Sequence, residues 1–202
     1  MNSKVKKPEG KLGVLVVGLG AVTTTFMTGV LMARKGLAKP VGSMTQYDKI
    51  RVGKGADKKY LKYDEIVPMA SLDDIVFGAW DVYPANAYES AINAEVLKEK
   101  DINPVKDELI AIKPMKAAFD KNYAKRLDGN NVKDAKTRWD MVEQLREDIR
   151  NFKKETGVER VVVLWAASTE IYVPVDEKIH GSIESLEAAM KADDREHVAP
   201  SM

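Results

Sequence analysis

Val14 to Phe26 reads VLVVGLGAVTTTF: four apolar residues, two glycines around Leu19, then a cluster of threonines. Leu12 to Val17 is a short apolar run that stops at Gly18, the pattern of a strand buried on both faces, as in a parallel sheet. From Ala21 the period changes. Val22, Phe26, Val30 and Ala33 fall at helical spacing, and the run stops near Gly36 with Pro40 beyond. Strand, glycine turn, helix is the unit from which the rest of the chain is read.

Working outward, Gln46 to Tyr63 alternates loosely between charged and apolar residues, which suggests a hairpin or extended excursion. Ile75–Trp80 (IVFGAW) is a second strand, and Asn86 with Glu89 three residues later forms a capping box for a helix carrying Tyr88, Ala91, Ile92 and Val96 on one side. Lys98 to Lys106 reads as a solvated helix end and loop. Leu109–Ile112 is expected as a third short strand ended by Pro114, and Asp128-Gly129-Asn130-Asn131 as a turn. Trp139, Val142, Leu145, Ile149 and Phe152 form the clearest helical stripe, a core-packing face, terminated by Gly157. Val161–Trp165 (VVVLW) is a fourth strand, again expected to be buried on both faces, and a last amphipathic helix covers roughly Ser182 to Lys191. Strands alternating with helices give an α/β fold with a parallel sheet.

Composition narrows the chemistry. The 202 residues are 45% hydrophobic and 31% charged, enough for a packed core. With 32 basic and 31 acidic residues the net charge is +1, and the lysines are dispersed, so nucleic acid finds no electrostatic footprint. There are no cysteines, which excludes disulfides, thiolate catalysis and Cys-ligated metals. The two histidines, His180 and His197, give a metal site or triad little material, and His180 beside Gly181 reads as a loop residue. The N-terminal MNSKVKKPEGK lacks the apolar core of a signal peptide, and no run reaches 18 apolar residues. The expected setting is cytoplasmic, with no membrane and no nucleic-acid partner.

Gly18-Leu19-Gly20 lies after a strand and before a helix, the context a dinucleotide fingerprint requires. Gly18 would allow the tight turn, Gly20 would let the backbone approach a pyrophosphate, and the N–H groups of residues 21–24 would point at the anion. Thr23 replaces the third glycine of that fingerprint and could offer its hydroxyl to phosphate. No Gly-Lys-Ser/Thr follows, so the turn is not an ATP P-loop. The acidic partner for a ribose is expected at the tip of the next sheet strand. The usual ~20-residue spacing reaches only the polar stretch around Pro40, so Asp81, at the end of IVFGAW, is the candidate. Trp165-Ala166-Ala167-Ser168-Thr169-Glu170 offers small and hydroxyl residues at another strand end. A plain corner with nothing bound, an Asp81 that caps a helix or turn, and an ordinary loop at 166–170 fit the same residues. No carboxylate pair, activated nucleophile or metal-ligand cluster stands out.

Several longer motifs follow in order: GLG at Gly18–Gly20, VGSMTQ at Val41–Gln46, VPMASLDD at Val67–Asp74, and GAWDVYPANAYESA at Gly78–Ala91. Then come Asn130-Asn131, NFKKE at Asn151–Glu155, VVVLWAASTEIY at Val161–Tyr172, and HVAPS near the end. On these the chain resembles the N-terminal portion of the myo-inositol-1-phosphate synthase (inositol-3-phosphate synthase) family, in a divergent, bacterial-looking form.

The resemblance implies a polar tail over 1–10 and an NAD-binding Rossmann-type domain over 11–202, with an insertion at about 40–70. It implies that Gly18, Gly20, Ala21, Val22, Thr23 and Thr24 belong to the pyrophosphate loop, that Asp81 binds a ribose, and that Ala167, Ser168 and Thr169 lie beside the nicotinamide half. Many relatives have Gly-Gly-Asn-Asn-Gly where this chain has Gly20-Ala21-Val22-Thr23-Thr24, so contacts made there by asparagine are lost or replaced. Their Thr-Ala-Asn-Thr-Glu is here Ala166-Ala167-Ser168-Thr169-Glu170, and contacts at Ala124–Asp128 do not transfer.

The implied activity converts D-glucose 6-phosphate to 1L-myo-inositol 1-phosphate by oxidation at C5, enolisation, aldol cyclisation and reduction, with NAD recycled. A cytoplasmic homotetramer serving inositol and phospholipid biosynthesis goes with it. The family's catalytic lysines, its oligomer-forming domain and the strands that complete its sheet lie beyond the segment ending at Met202, so no catalytic residue is assigned. The chain thus reads as about half a synthase, with an open sheet edge and a tendency to aggregate or pair. The alternatives are a stand-alone dinucleotide-binding module and a structural α/β protein with an empty glycine corner.

Overall fold

The computed structural model describes residues 9–202; most of the polar tail assigned to 1–10 lies outside them. Strand β1 (Lys11–Val17) passes through the glycine turn into helix α1 (Ala21–Arg34). A short helix α2 (Met44–Tyr47) leads to β2 (Lys49–Val52) and β3 (Lys59–Lys62), an antiparallel hairpin as the alternating pattern predicts, and then to α3 (Tyr63–Ile66). Strand β4 (Ile75–Asp81) follows, then α4 (Ala87–Ala94), α5 (Glu99–Ile102), α6 (Lys106–Ala111) and the two-residue strand β5 (Met115–Lys116). Helix α7 (Arg138–Thr156), strand β6 (Val158–Trp165), α8 (Glu177–His180) and α9 (Ile183–Lys191) complete the chain.

The main sheet has the order β5-β4-β1-β6, with every pairing parallel. Residues 35–74 form an excursion between two neighbouring strands, since β4 pairs directly with β1. In register, Val17 stands between Trp80 and Trp165, so the carboxyl ends of three strands are level. Alternation along β1 sends Val14 and Val16 to one face, with Met27, Leu31, Ala91 and Leu109 from α1, α4 and α6. Leu15 goes to the other, with Trp80 and Phe152 of α7. A parallel sheet covered on both faces is the arrangement that its continuous apolar runs demand. Removing the fully buried Leu15 side chain would cost about 3 kcal/mol.

Several local expectations need correction. Residues 109–111 are helical, not a strand, because α6 turns Leu109 into the core beside Ile102 and Val105, and the strand comes later at Met115. Those two core residues also show that 98–106 is more than a solvated loop. Helix α1 buries Thr23, Thr24, Met27, Thr28, Val30 and Leu31, while Val22 is 72% exposed and Phe26 lies at the surface. Val96 lies past α4, which ends at Ala94 with Glu95 in the left-handed region. Asp128–Asn131 is not a turn; it runs extended against Val82, to which Asn131 donates its N–H.

Strand β6 also departs from expectation. Among the described residues it pairs with β1 alone, and Val162, Val163, Leu164 and Trp165 are exposed. The α7 stripe buries only Phe152 fully; Trp139 is half-covered by the cations of Arg146 and Lys191. His180 ends α8, with Nδ1 accepting the Asp176 N–H and Nε2 facing the His197 carbonyl.

Candidate functional site

The carboxyl ends of β1, β4 and β6 open into a cleft of about 360 Å³, within the range of small-molecule sites. Its floor is the glycine turn. The Gly18 N–H donates to the Trp80 carbonyl (2.8 Å), and the Ala166 N–H donates to the Val17 carbonyl (2.9 Å), so the turn is held between its two neighbouring strands. Gly18 has φ +94°, and a Cβ there would stand 2.8 Å from the Ala167 Cα and 2.9 Å from the Ala166 carbonyl oxygen. The loop after β6 therefore lies directly on the bare face of Gly18, which brings the two motifs together.

Gly20 is different. A Cβ built on it meets no atom within 4 Å, because that side faces the open cleft. As the N-cap of α1 it offers no side-chain acceptor, and the first turn of the helix holds no acidic residue. A fourteen-residue helix thus presents its positive end, with uncapped N–H groups, to an open space beside a residue without a side chain. This is what an anion such as a pyrophosphate requires.

Threonines stiffen the turn from behind. Thr23 Oγ1 donates to the Gly18 carbonyl (2.5 Å), and Thr24 Oγ1 donates to the Gly20 carbonyl (3.0 Å); both side chains are buried. The Thr23 hydroxyl, at the third-glycine position, is committed to the backbone rather than pointed into the cleft.

Asp81 closes one side. Its Oδ2 accepts the Leu19 N–H at 2.5 Å and its Oδ1 accepts the Tyr83 N–H at 2.9 Å. Each carboxylate oxygen accepts more than one hydrogen bond, so capacity remains for ribose hydroxyls. Below it, Trp80 Nε1 donates to Asp148 Oδ2 (2.7 Å), which also pairs with the buried Lys133 ammonium (2.6 Å) and ties α7 to β4.

Of the residues singled out from sequence, Gly18, Gly20, Ala21, Asp81, Ala167 and Ser168 line the cleft together. Val22 points to solvent, Thr23 and Thr24 lie beneath the turn, and Thr169 faces a shallower hollow with Trp165, Glu170 and Ser201. Sequence reading missed the far wall, formed by Val82, Tyr83 and the 117–119 segment after β5. It also gave no role to Asn131, whose Nδ2 donates to the Asp81 carbonyl; the Asn130-Asn131 pair was the available signal. Among the described residues no group of three His, Asp or Glu side chains is placed to hold a metal ion. No helix among them is long and apolar enough to cross a membrane.

Comparison with known proteins adds to this geometry. Residues 12–202 match the NAD-binding domain family described as myo-inositol-1-phosphate synthase. Inositol-3-phosphate synthase 1 of Bacteroides thetaiotaomicron is 58% identical over the whole chain, which covers 46% of that protein. The Saccharomyces cerevisiae inositol-3-phosphate synthase is 29% identical over 98% of the chain and is covered to 41%. The crystal structure of inositol-3-phosphate synthase from Caenorhabditis elegans superposes with a TM-score of 0.86 at 25% identity, again over 98% of this chain and 41% of that one. The chain spans less than half the length of these relatives.

Proposed function

The chain belongs to the myo-inositol-1-phosphate synthase family, and from that premise we propose that it forms the NAD-holding part of an inositol-3-phosphate synthase acting on D-glucose 6-phosphate to give 1L-myo-inositol 1-phosphate. The domain is an NAD-binding one by family, and the cleft suits that cofactor. The observation that carries the reading is Gly20. It leaves open space over an uncapped helix N-terminus, with a carboxylate held beside it.

In this reading the N–H groups at Gly20 and the start of α1 hold the pyrophosphate, and Asp81 accepts from ribose hydroxyls. Ala167 and Ser168, with Thr169 at the lip, border the nicotinamide half. NAD, when bound, supplies a reversible hydride acceptor. The protein's share is to fix its orientation and surround it with groups that do not react.

Assembly into a homotetramer, a cytoplasmic setting and a role in phospholipid biosynthesis belong to the same proposal. The exposed apolar residues of β6, and Val22 and Phe26 on α1, support burial against further protein.

Calorimetric titration of NAD⁺ and NADP⁺ into the chain tests the cofactor half, and incubation with NAD⁺ and glucose 6-phosphate in the presence of the remaining, C-terminal portion of the Bacteroides thetaiotaomicron synthase, with inositol phosphate read by chromatography, tests the substrate half. Saturable binding of NAD⁺, tighter than that of NADP⁺ because Asp81 repels a 2′-phosphate, is the expected result. A folded chain that binds neither would overturn the assignment.

A further inference from the structure

Strand β5 is only two residues long and pairs with β4 through Trp80–Met115 and Asp81–Lys116 alone. So short a pairing fixes the end of β4 weakly by itself. A second segment does the fastening. The Asn131 N–H donates to the Val82 carbonyl (2.8 Å), and the Asn131 carbonyl accepts the Ala117 N–H (3.0 Å). Its side-chain Nδ2 donates to both the Asp81 carbonyl (2.8 Å) and the Met115 carbonyl (3.3 Å). One residue thus bonds to main-chain groups on both strand ends.

The chemistry selects asparagine. Both acceptors of the side chain are carbonyl oxygens, so the NH₂ group must face them, and its two hydrogens can serve two carbonyls at once. Aspartate would set a carboxylate against two carbonyls, and alanine would take the side-chain donor away from both. The approach also depends on Gly129, where a Cβ would lie 2.2 Å from the Val82 carbonyl oxygen. Asn131 grips the carbonyls of Asp81 and Val82, the two that directly follow the Cα from which the Asp81 carboxylate reaches the Leu19 and Tyr83 N–H groups.

We propose that Asn131 is a positioning residue for Asp81, holding its carboxylate in the orientation that receives the ribose of NAD. This rests on the cofactor reading above.

The test is calorimetry on the whole chain with two ligands: NAD⁺ and its analogue with a 2′,3′-dideoxyadenosine moiety, which lacks the hydroxyls Asp81 would accept from. Asn131→Ala is expected to weaken NAD⁺ by about tenfold and to leave the affinity of the dideoxy analogue at its wild-type value. In an Asp81→Ala background the same change should cost nothing further, since the two residues act through one contact. Asn131→Asp, nearly the same shape, repeats the measurement should the alanine variant not fold. An equal loss for both ligands, or additive losses in the double variant, would make Asn131 a structural residue only and overturn the proposal. Wild-type chain that binds no NAD⁺ would instead sink the cofactor reading and this inference with it.

Discussion

Leu19 donates its N–H to Asp81 Oδ2 at 2.5 Å across 62 residues of sequence, so the acid at the end of β4 is fastened to the glycine turn at the end of β1. The turn and the acid are therefore one unit, whose spacing is set by the parallel register of the two strands. An excursion of any length between α1 and β4 leaves that unit unchanged, which is why an acid far outside the usual sequence spacing can still face the turn.

Gly20→Val should separate binding from folding. Gly20 has φ −91°, accessible to any residue, and the added side chain meets no protein atom near its Cβ. The melting temperature should stay near that of the wild type while NAD⁺ affinity falls by more than ~10-fold, as the methyls fill the space meant for the pyrophosphate. Calorimetry beside a thermal melt decides this. Unchanged affinity in the valine variant would return the turn to being a simple corner.

Gly18→Ala should do the reverse. The residue sits at φ +94°, and its Cβ would press on the Ala167 backbone at 2.8 Å. Left-handed strain together with that overlap should cost about 2–4 kcal/mol of stability, with or without NAD⁺ present. Urea denaturation at fixed NAD⁺ concentration measures it, and a variant as stable as wild type would mean that the 166–167 loop can move off the turn.

What was legible in the sequence was local. The strand, turn and first helix follow from one apolar run and two glycines, and the Asn86–Glu89 capping box forms as its spacing predicts. Asp81 could be found because the strand it ends is itself a clear apolar run. What failed depended on neighbours that are distant in sequence. The LIAI run at 109–112 has no polar interruption, so period alone cannot separate a strand from a buried helix. The buried face of α1 was not legible because threonines count as polar, yet here their hydroxyls close on the Gly18 and Gly20 carbonyls and the side chains can be buried. Asp128–Asn131 has the composition of a turn; only the presence of Val82 and Ala117 makes it an extended clasp.

Asp120 carries a pH dependence. Its carboxylate pairs with the buried Arg138 guanidinium at 2.7 Å, and Arg138 Nε donates to the Val198 carbonyl (3.1 Å). Burial disfavours the charged form of Asp120, but the Asn122 N–H and Arg138, aided by Arg195, outweigh it and hold the carboxyl below its usual range. A lowered folded pKa stabilises the fold above the unfolded value of about 3.9 and ceases to do so as pH falls through the folded one. Asp120→Ala, which leaves a buried cation unpaired, should cost about 3 kcal/mol at pH 7. Thermal melts of both proteins from pH 7 downward should show that gap constant to about pH 4 and shrinking below it. A gap that persists unchanged at pH 3 would mean that packing, not charge, is what the variant loses.

Among the described residues nothing pairs with the outer side of strand β6, where Val163 is 50% and Trp165 51% exposed, and no cation stands among residues 161–165 to discourage pairing. An apolar edge of this length is a template for another strand. The chain alone should therefore self-associate as its concentration rises, and Val163→Lys should weaken that association without lowering the melting temperature, since Val163 is half exposed and belongs to neither buried cluster. Light scattering across a concentration series of both proteins is the measurement. If the wild type remains a monomer at the highest concentration while melting cooperatively, the edge is protected by its own twist or by the segment that follows it. If both proteins associate equally, the contact lies elsewhere, and the exposed Val22 and Phe26 of α1 become the surface to substitute next.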